Sequence, residues 1–238
     1  LVPAGGAKQD TGLTKISAPR MRVALVAGCG DAMRPETNRD AIEVLRRNGI
    51  EPTVIEGCCG ALALHAGEQE RALRLARATV RRLSELCLPR VITTAAGCGA
   101  MLSEYGRLLA SDPLAGAAAV VSKSCRDISV FLCQNDLKRP TMSGGGVVAY
   151  HDACHLLHGQ GVSEEPRLVV EAATGKMPRD LGDNHICCGS AGTYNLEHPR
   201  IGRELGRDKA RAAELAGIDT LAVANVGCLL QLERALRS

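Results

Sequence analysis

Two short stretches decide the reading of this chain: "EGCCGALALH" (Glu56–His65) and "HICCGSAGTYNL" (His185–Leu196). Each places two cysteines side by side with a glycine after them. Neighbouring side chains point to opposite faces in a strand and diverge by about 100° in a helix. Adjacent thiols therefore serve different directions, and the chain uses the device twice.

Working outward from the pairs, the same order of elements appears on both occasions. "MRVALVAGC" (Met21–Cys29) is an apolar run that predicts a buried parallel strand. "PETNRDAIEVLRRNG" carries proline near its start and Gly49 at its end, the punctuation of a helix. "EPTVIEG" predicts a second strand leading to Cys58 and Cys59. "EQERALRLARATVRRLSEL" predicts an amphipathic helix with Leu73, Ala76, Val80 and Leu83 on one face. "RVITTAAGC" predicts a strand ending at Cys98, and helices are expected over "AMLSEYGRLLA" and "CRDISVFLCQND". After a linker, "KRPTMSGGG", the order restarts. "VVAYHDAC" predicts a strand ending at Cys154, with a helix following around "EEPRLVVEAAT". Cys187 and Cys188 come next, then a helix over "PRIGRELGRDKARAAEL". "DTLAVANVGC" predicts a strand ending at Cys228, and "LLQLERALRS" a final helix.

The chain is thus an internal repeat. Cys29, Cys58, Cys59 and Cys98 recur as Cys154, Cys187, Cys188 and Cys228 at offsets of 125, 129 and 130 residues. A period that long means duplication of a whole domain rather than a solenoid. Strands alternating with helices predict an α/β fold with parallel sheets and right-handed crossovers, whose ligand crevice lies at the carboxyl ends of the strands. The expected organisation is a linker over 1–20, a first domain over 21–140 and a second over 146–238.

Composition narrows the function. A net charge of +3, no Trp, one Phe and three Tyr in 238 residues argue against a nucleic-acid binder, which needs a basic face or stacking platforms. No apolar run approaches the roughly 18 residues of a membrane span, and no basic-then-apolar signal segment opens the chain. Eleven cysteines are many, and the odd number argues against full disulfide pairing. In a chain this long and helical they predict metal or redox chemistry in a reducing, cytoplasmic setting.

Four thiolates per half are the ligand set of a [4Fe–4S] cluster or of a structural Zn²⁺. The doubled cysteine is awkward for a zinc knuckle, which uses intervening residues to turn, and suits a polynuclear cluster, whose irons accept diverging thiols. Gly60 and Gly189 are expected to let backbone approach the cluster, and Gly97 and Gly227 to act likewise. Cys87, Cys125 and Cys133 lack repeat partners and are expected to be small buried hydrophobes. His151, His155 and His158 surround Cys154. Cys154 and His158, four apart, form a minor zinc-pair reading that the histidine-poor first half does not support, so hydrogen bonding near the cluster is the expected role. His185 is a candidate donor to the second cysteine pair. "GCGDAM" lacks the third glycine of a dinucleotide fingerprint, and "CCGSAG" is no nucleophile elbow. Arg71, Arg74, Arg77, Arg81 and Arg82 predict a solvated helix face, with docking to an acidic partner or anionic membrane the lesser reading.

Together, "AGCGDAMRPETNRDAIEVLRRNGI", "GCCGAL", "TTAAGCGAMLSEYGRLLASDP", "YHDACHLLHGQGV", "HICCGSAGTYNLEHP", "LGRDKARAAE" and "VANVGCLLQ" cover nearly all of 21–231. They resemble the C-terminal two-thirds of glycolate oxidase iron–sulfur subunits, a branch of the cysteine-rich CCG domain family to which a heterodisulfide reductase subunit is also related. The resemblance implies two Rossmann-like domains and an N-terminal ferredoxin-like domain with two [4Fe–4S] clusters, which lies outside this sequence. The opening Leu in place of Met agrees with a segment missing upstream, and because family members run on past the final cysteine motif for another helix, a cut C-terminus is expected as well. It also implies a partner flavin subunit that oxidises a 2-hydroxy acid and an electron acceptor in or near the membrane, with this chain peripheral on its inner face. The family's fuller motif carries a fifth cysteine in each half, where Met101 and Gln231 stand. That departure shifts the expected role from disulfide reductase toward electron relay. The alternatives are a heterodisulfide-reductase-like thiol/disulfide reductase and a zinc-stapled docking subunit with zinc in one half.

Overall fold

A computed structural model of the chain describes residues 16–139, 146–182, 184 and 186–237. The first half opens with β1 (Met21–Val26), a 3-10 turn over Cys29–Ala32, α1 (Pro35–Arg47) and β2 (Ile50–Ile55). It continues with α2 (Ala61–His65), α3 (Gln69–Leu86), β3 (Val91–Thr93), α4 (Ala96–Ser103) and α5 (Tyr105–Leu108). It closes with α6 (Ala115–Ser124), β4 (Cys125–Asp127) and α7 (Ile128–Cys133). The second half runs β5 (Val148–His151), α8 (Cys154–Gln160), α9 (Glu164–Thr174) and β6 (Arg179–Asp180). It then adds α10 (Tyr194–Glu197), α11 (Pro199–Leu215), β7 (Thr220–Val223) and α12 (Val226–Leu236).

Two parallel sheets result, of order β2-β1-β3-β4 and β6-β5-β7, as the duplicated α/β reading requires. The apolar continuity of β1 follows from burial on both faces. Val23 and Leu25 point into a core with Ile42 and Leu45 of α1 and Phe131 of α7. Ala24 and Val26 point into another with Ala72, Ala76 and Val80 of α3 and Tyr105 of α5. The second sheet is smaller, and its main core joins the halves: Ala96 of α4 packs with Ala153, Leu156, Cys188, Cys228 and Leu232.

Several boundaries differ from expectation. The strands predicted to end at Cys98, Cys154 and Cys228 stop at Thr93, His151 and Val223, and β1 stops at Val26, three residues before Cys29. The cysteines instead sit in the first turn of the helix that follows each strand, Cys29 in its 3-10 counterpart. An uninterrupted apolar string cannot distinguish the end of a buried strand from the start of a buried helix. "AMLSEYGRLLA" breaks into α4 and α5 around Glu104. "CRDISVFLCQND" begins as the edge strand β4, and its helix starts after Asp127, whose carboxylate accepts from Ser129 N–H at 2.9 Å. The final helix starts three residues early, at Val226. Residues 1–15 and 140–145, which hold most of the two expected linkers, lie outside the described residues.

The carboxyl ends of the two sheets face each other. Ala96 N–H donates to Ala224 O at 3.0 Å and Gly97 N–H to Asn225 Oδ1 at 3.2 Å, so the N-termini of the equivalent helices α4 and α12 abut. Gln160 Nε2 donates to Ala96 O at 3.0 Å, His65 stacks on His155 with centroids 5.2 Å apart, and Arg34 pairs with Glu233.

On the far side of the Cys154 turn, Arg167 forks onto Asp152 at 2.8 and 2.6 Å, reaches Asp180 at 2.5 Å, and lies over the Tyr150 ring at 5.1 Å. Asp152 is nearly inaccessible, and removing its partner strands a buried charge. Arg167→Met is expected to cost about 2 kcal/mol or more in denaturant unfolding, and Asp152→Asn in the same chain to recover part of the loss. Equal stability of Arg167→Met and the parent would contradict this.

Candidate metal centre

Each cysteine pair is held by a turn that needs its glycine. After β2 the backbone reaches Gly60 in the left-handed region (φ +91°), and Gly189 matches it at +89°. Side chains rarely adopt this conformation, and there is no room for one. A Cβ on Gly60 would stand 3.0 Å from Ala72 O of α3, and one on Gly189 2.5 Å from Gly202 O of α11. What presses on these glycines is the backbone of the next helix. Their N–H groups do turn onto sulfur. Gly60 N–H donates to Cys58 Sγ and Gly189 N–H to Cys187 Sγ, both at 3.4 Å. The first thiol of each pair is so bound to its own turn, and the second turns inward. Cys59 is 2% exposed and its Sγ lies 3.4 Å from Cys98 Sγ. Tyr105 Oη donates to Cys59 O at 2.7 Å and fixes that peptide from α5.

The two quartets, Cys29, Cys58, Cys59 and Cys98 in one half and Cys154, Cys187, Cys188 and Cys228 in the other, line a single crevice of about 320 Å³. Gly97 and Gly227 line it too, and Gly97 N–H is taken by Asn225 Oδ1. All eleven cysteines are free thiols. Within each quartet the thiols alternate as donors and acceptors. Cys58 is held far below the usual thiol range by hydrogen bonds from Cys29 and then Cys59. Cys98 is lowered by its bond from Cys59. Cys29 and Cys59 are pushed up as the donors. Cys187 is lowered by Cys154 and Cys188, and Cys228 falls to about 5 through Cys188 first, with His151 and Asn225 adding to it. Cys154 and Cys188 are raised in turn. Each quartet thus pairs thiol donors with thiols whose deprotonation their neighbours favour, a donor set suited to a soft metal.

The remaining cysteines stay outside the crevice. Cys125 is buried in β4, and burial raises its pKa to about 12. Cys133 Sγ donates to Glu165 O at 3.7 Å. Cys87, expected to be buried, is exposed at the left-handed C-terminus of α3 (φ +48°). Of the histidines, His158 is exposed and forms no pair with Cys154, whereas His155 meets His65 across the halves. His185 lies outside the described residues. His151 is 1% exposed, and one of its ring nitrogens and the sulfurs of Cys188 and Cys228 all lie within 4.8 Å of one another. Sequence reasoning placed His151 only loosely near Cys154. The repeat itself holds the sharper signal, for His151 stands where the first half has Val26. Met101 and Gln231 do not line the crevice: Met101 is core, and Gln231 Nε2 donates to Gly202 O at 2.6 Å.

The architecture defines a duplicated cysteine-rich α/β module. The family profile described as "Cysteine-rich domain" (CCG) matches residues 23–103 and again 148–233, and the chain belongs to that family. Its relatives include the glycolate oxidase iron–sulfur subunit of Escherichia coli (strain K12), 35% identical over 226 residues. That alignment covers 92% of this chain and 55% of the relative, so the chain spans about half the relative's length. A subunit of the fumarate reductase (CoM/CoB) of Methanothermobacter marburgensis is 31% identical over 92% of this chain and 43% of its own. Lactate utilization protein A of Shouchella clausii is 29% identical, covering 89% of this chain and 90% of the relative.

The two roles of the turn glycines separate by substitution. Gly67 also has positive φ (+78°) but open space around it. Gly67→Ala is expected to cost about 1 kcal/mol from backbone strain alone. Gly189→Ala adds overpacking against α11 of about 1–3 kcal/mol. Unfolding midpoints of the two variants check this, and equal losses would refute the packing argument.

Proposed function

We propose that this chain is an iron–sulfur electron-transfer unit of a 2-hydroxy-acid-oxidising complex. Its domains, over 21–140 and 146–238, would each hold one [4Fe–4S] cluster. The ligands are Cys29, Cys58, Cys59 and Cys98 in the first and Cys154, Cys187, Cys188 and Cys228 in the second. The observation that carries the reading is the convergence of two four-thiol sets on one crevice. The donor chemistry fits the group: four soft ligands per half, reached from three separate segments, with N–H groups of Gly60 and Gly189 already aimed at sulfur. Bound there, such a group exchanges single electrons. The chain's own part is to supply thiolates, hold two of them on glycine turns, and line the crevice with Ala and Leu side chains and close-lying glycine backbone.

The named relatives support the wider role, since an "iron-sulfur subunit" of glycolate oxidase works with another subunit. A flavin-bearing 2-hydroxy acid oxidase is the donor we assign, with an acceptor at or near a membrane. No described helix is long and apolar enough to cross a membrane. Free thiols throughout suit the cytoplasm. Zinc in the second half is the second reading, favoured by His151 joining Cys188 and Cys228 in a buried mixed-ligand set.

Anaerobic preparation of the chain, with iron, sulfide and zinc analysis and EPR of the reduced protein, decides between the readings. Iron and acid-labile sulfide in both halves are expected; stoichiometric zinc without iron would end the electron-transfer reading. Cys188→Ser is expected to remove the second-half cluster, roughly halving iron content, while Cys59→Ser does the same to the first. Loss of all iron in either variant would contradict two independent sites.

A further inference from the structure

The duplication makes each residue of one half a control for its counterpart in the other. Several positions around the sulfurs break the symmetry: His155, where the first half has Gly30, lies 3.6 Å from Cys154 Sγ, and two further side chains, Asn225 in the crevice wall and His151 behind it, stand beside Cys228. Asn225 Nδ2 donates to Cys228 Sγ at 3.5 Å. Its amide is oriented by the first half, because Oδ1 accepts Gly97 N–H and so leaves Nδ2 facing the sulfur. The counterpart of Asn225 is Ala95. Both precede the helix carrying the cysteine, and both are extended (φ −148°, ψ 127° and φ −125°, ψ 115°), so the difference is chemical, not conformational. His151 ends β5 and is 1% exposed, with a ring nitrogen within 4.8 Å of the Cys188 and Cys228 sulfurs. Its Nδ1 has no hydrogen-bond partner among the described residues. The counterpart at the end of β1 is Val26, which belongs to a hydrophobic core. The sulfur of Cys98 pairs with Cys59 and packs against the Gly28 backbone, where neither Val26 nor Ala95 has a donor to offer.

Hydrogen bonds to a ligand sulfur favour the reduced, more negative state of an iron–sulfur site and raise its reduction potential. We infer that the two halves are electronically unequal: His151 and Asn225 make the second-half site the higher-potential one, where an electron entering the crevice comes to rest. This rests on the iron–sulfur reading above. One electron leaves the reduced first-half site, which is reoxidised, and the second-half site is reduced by the same electron. The flavin subunit is the source and the external acceptor the sink. The first half is then the entry side and the second the exit side.

EPR-monitored redox titration of the anaerobically prepared, iron-loaded chain tests the assignment, with Cys59→Ser and Cys188→Ser identifying each half's signal. The second-half midpoint is expected to be the higher. His151→Val with Asn225→Ala is expected to lower it by at least tenfold in the reduced-to-oxidised ratio, about 59 mV for one electron, with the first-half midpoint unmoved. Asn225→Ala alone keeps the buried ring and gives a smaller shift of the same sign. Ala95→Asn, at an N-cap position that suits Asn, is expected to raise the first-half midpoint. Equal midpoints, a higher first-half midpoint, or midpoints indifferent to all three substitutions would overturn the inference while leaving the electron-transfer reading intact. Absence of iron from either half would overturn both.

Discussion

Four thiols within reach of one another, two of them buried in each half, cannot all ionise. With Cys59 and Cys98 sulfurs 3.4 Å apart, a second negative charge meets the first at short range with little solvent between. The chain resolves this by letting thiols donate to thiolates, so that Cys58 and Cys98, and likewise Cys187 and Cys228, carry the negative character. A cationic group removes the conflict altogether, since each thiol becomes a ligand and sheds its proton. The parallel sheets, the abutting helices and the glycine turns are what hold eight sulfurs in a place they would otherwise avoid.

That arrangement depends on helix starts more than on strand ends. Cys98 and Cys228 each occupy the third position of a helix, and Cys154 the first of another. The open N–H groups and the positive end of the helix dipole there favour negative charge. Burial of Cys188 and Cys228 in the core that joins the halves makes these thiols part of the packing between the halves.

Much of this was legible in the sequence. The repeat, the parallel α/β class, the long helices α1, α3 and α11 and the eight cysteines follow from periodicity and spacing. Three things did not. The strand-to-helix transition in "TTAAGC" was hidden because the string stays small through the change, whereas in "VANVGC" the one start signal is the N-cap Asn225. Helix α6, "AGAAAVVSKS", has little amphipathic contrast, and β4 is three residues of edge strand whose pairing with β3 is non-local. The partners of the sulfurs were also hidden, since Asn225 gains its meaning from Gly97, 128 residues away. His151 reads as an ordinary strand residue until it is set against Val26.

The missing fifth cysteines show how the two halves diverged. Gln231 donates to Gly202 O and accepts from Asn195 Nδ2 at 3.1 Å, tying α10, α11 and α12 together. Gly202 O is the same carbonyl that leaves Gly189 no room for a Cβ. A residue standing where a further thiol would bind metal therefore secures the turn that aims Cys187 and Cys188. In the first half the corresponding Met101 is apolar core, and the Cys58–Cys59 turn is secured from elsewhere, by Tyr105 Oη on Cys59 O. Each half has four crevice thiols and packing residues at the fifth position, and among the described residues Asn225 Nδ2 donates to a sulfur of the second half where the first half has Ala95. The asymmetry is open to two uses: His151 as a donor to the Cys228 sulfur tunes one site against the other, whereas His151 as a ligand would make the second half a mixed-ligand site.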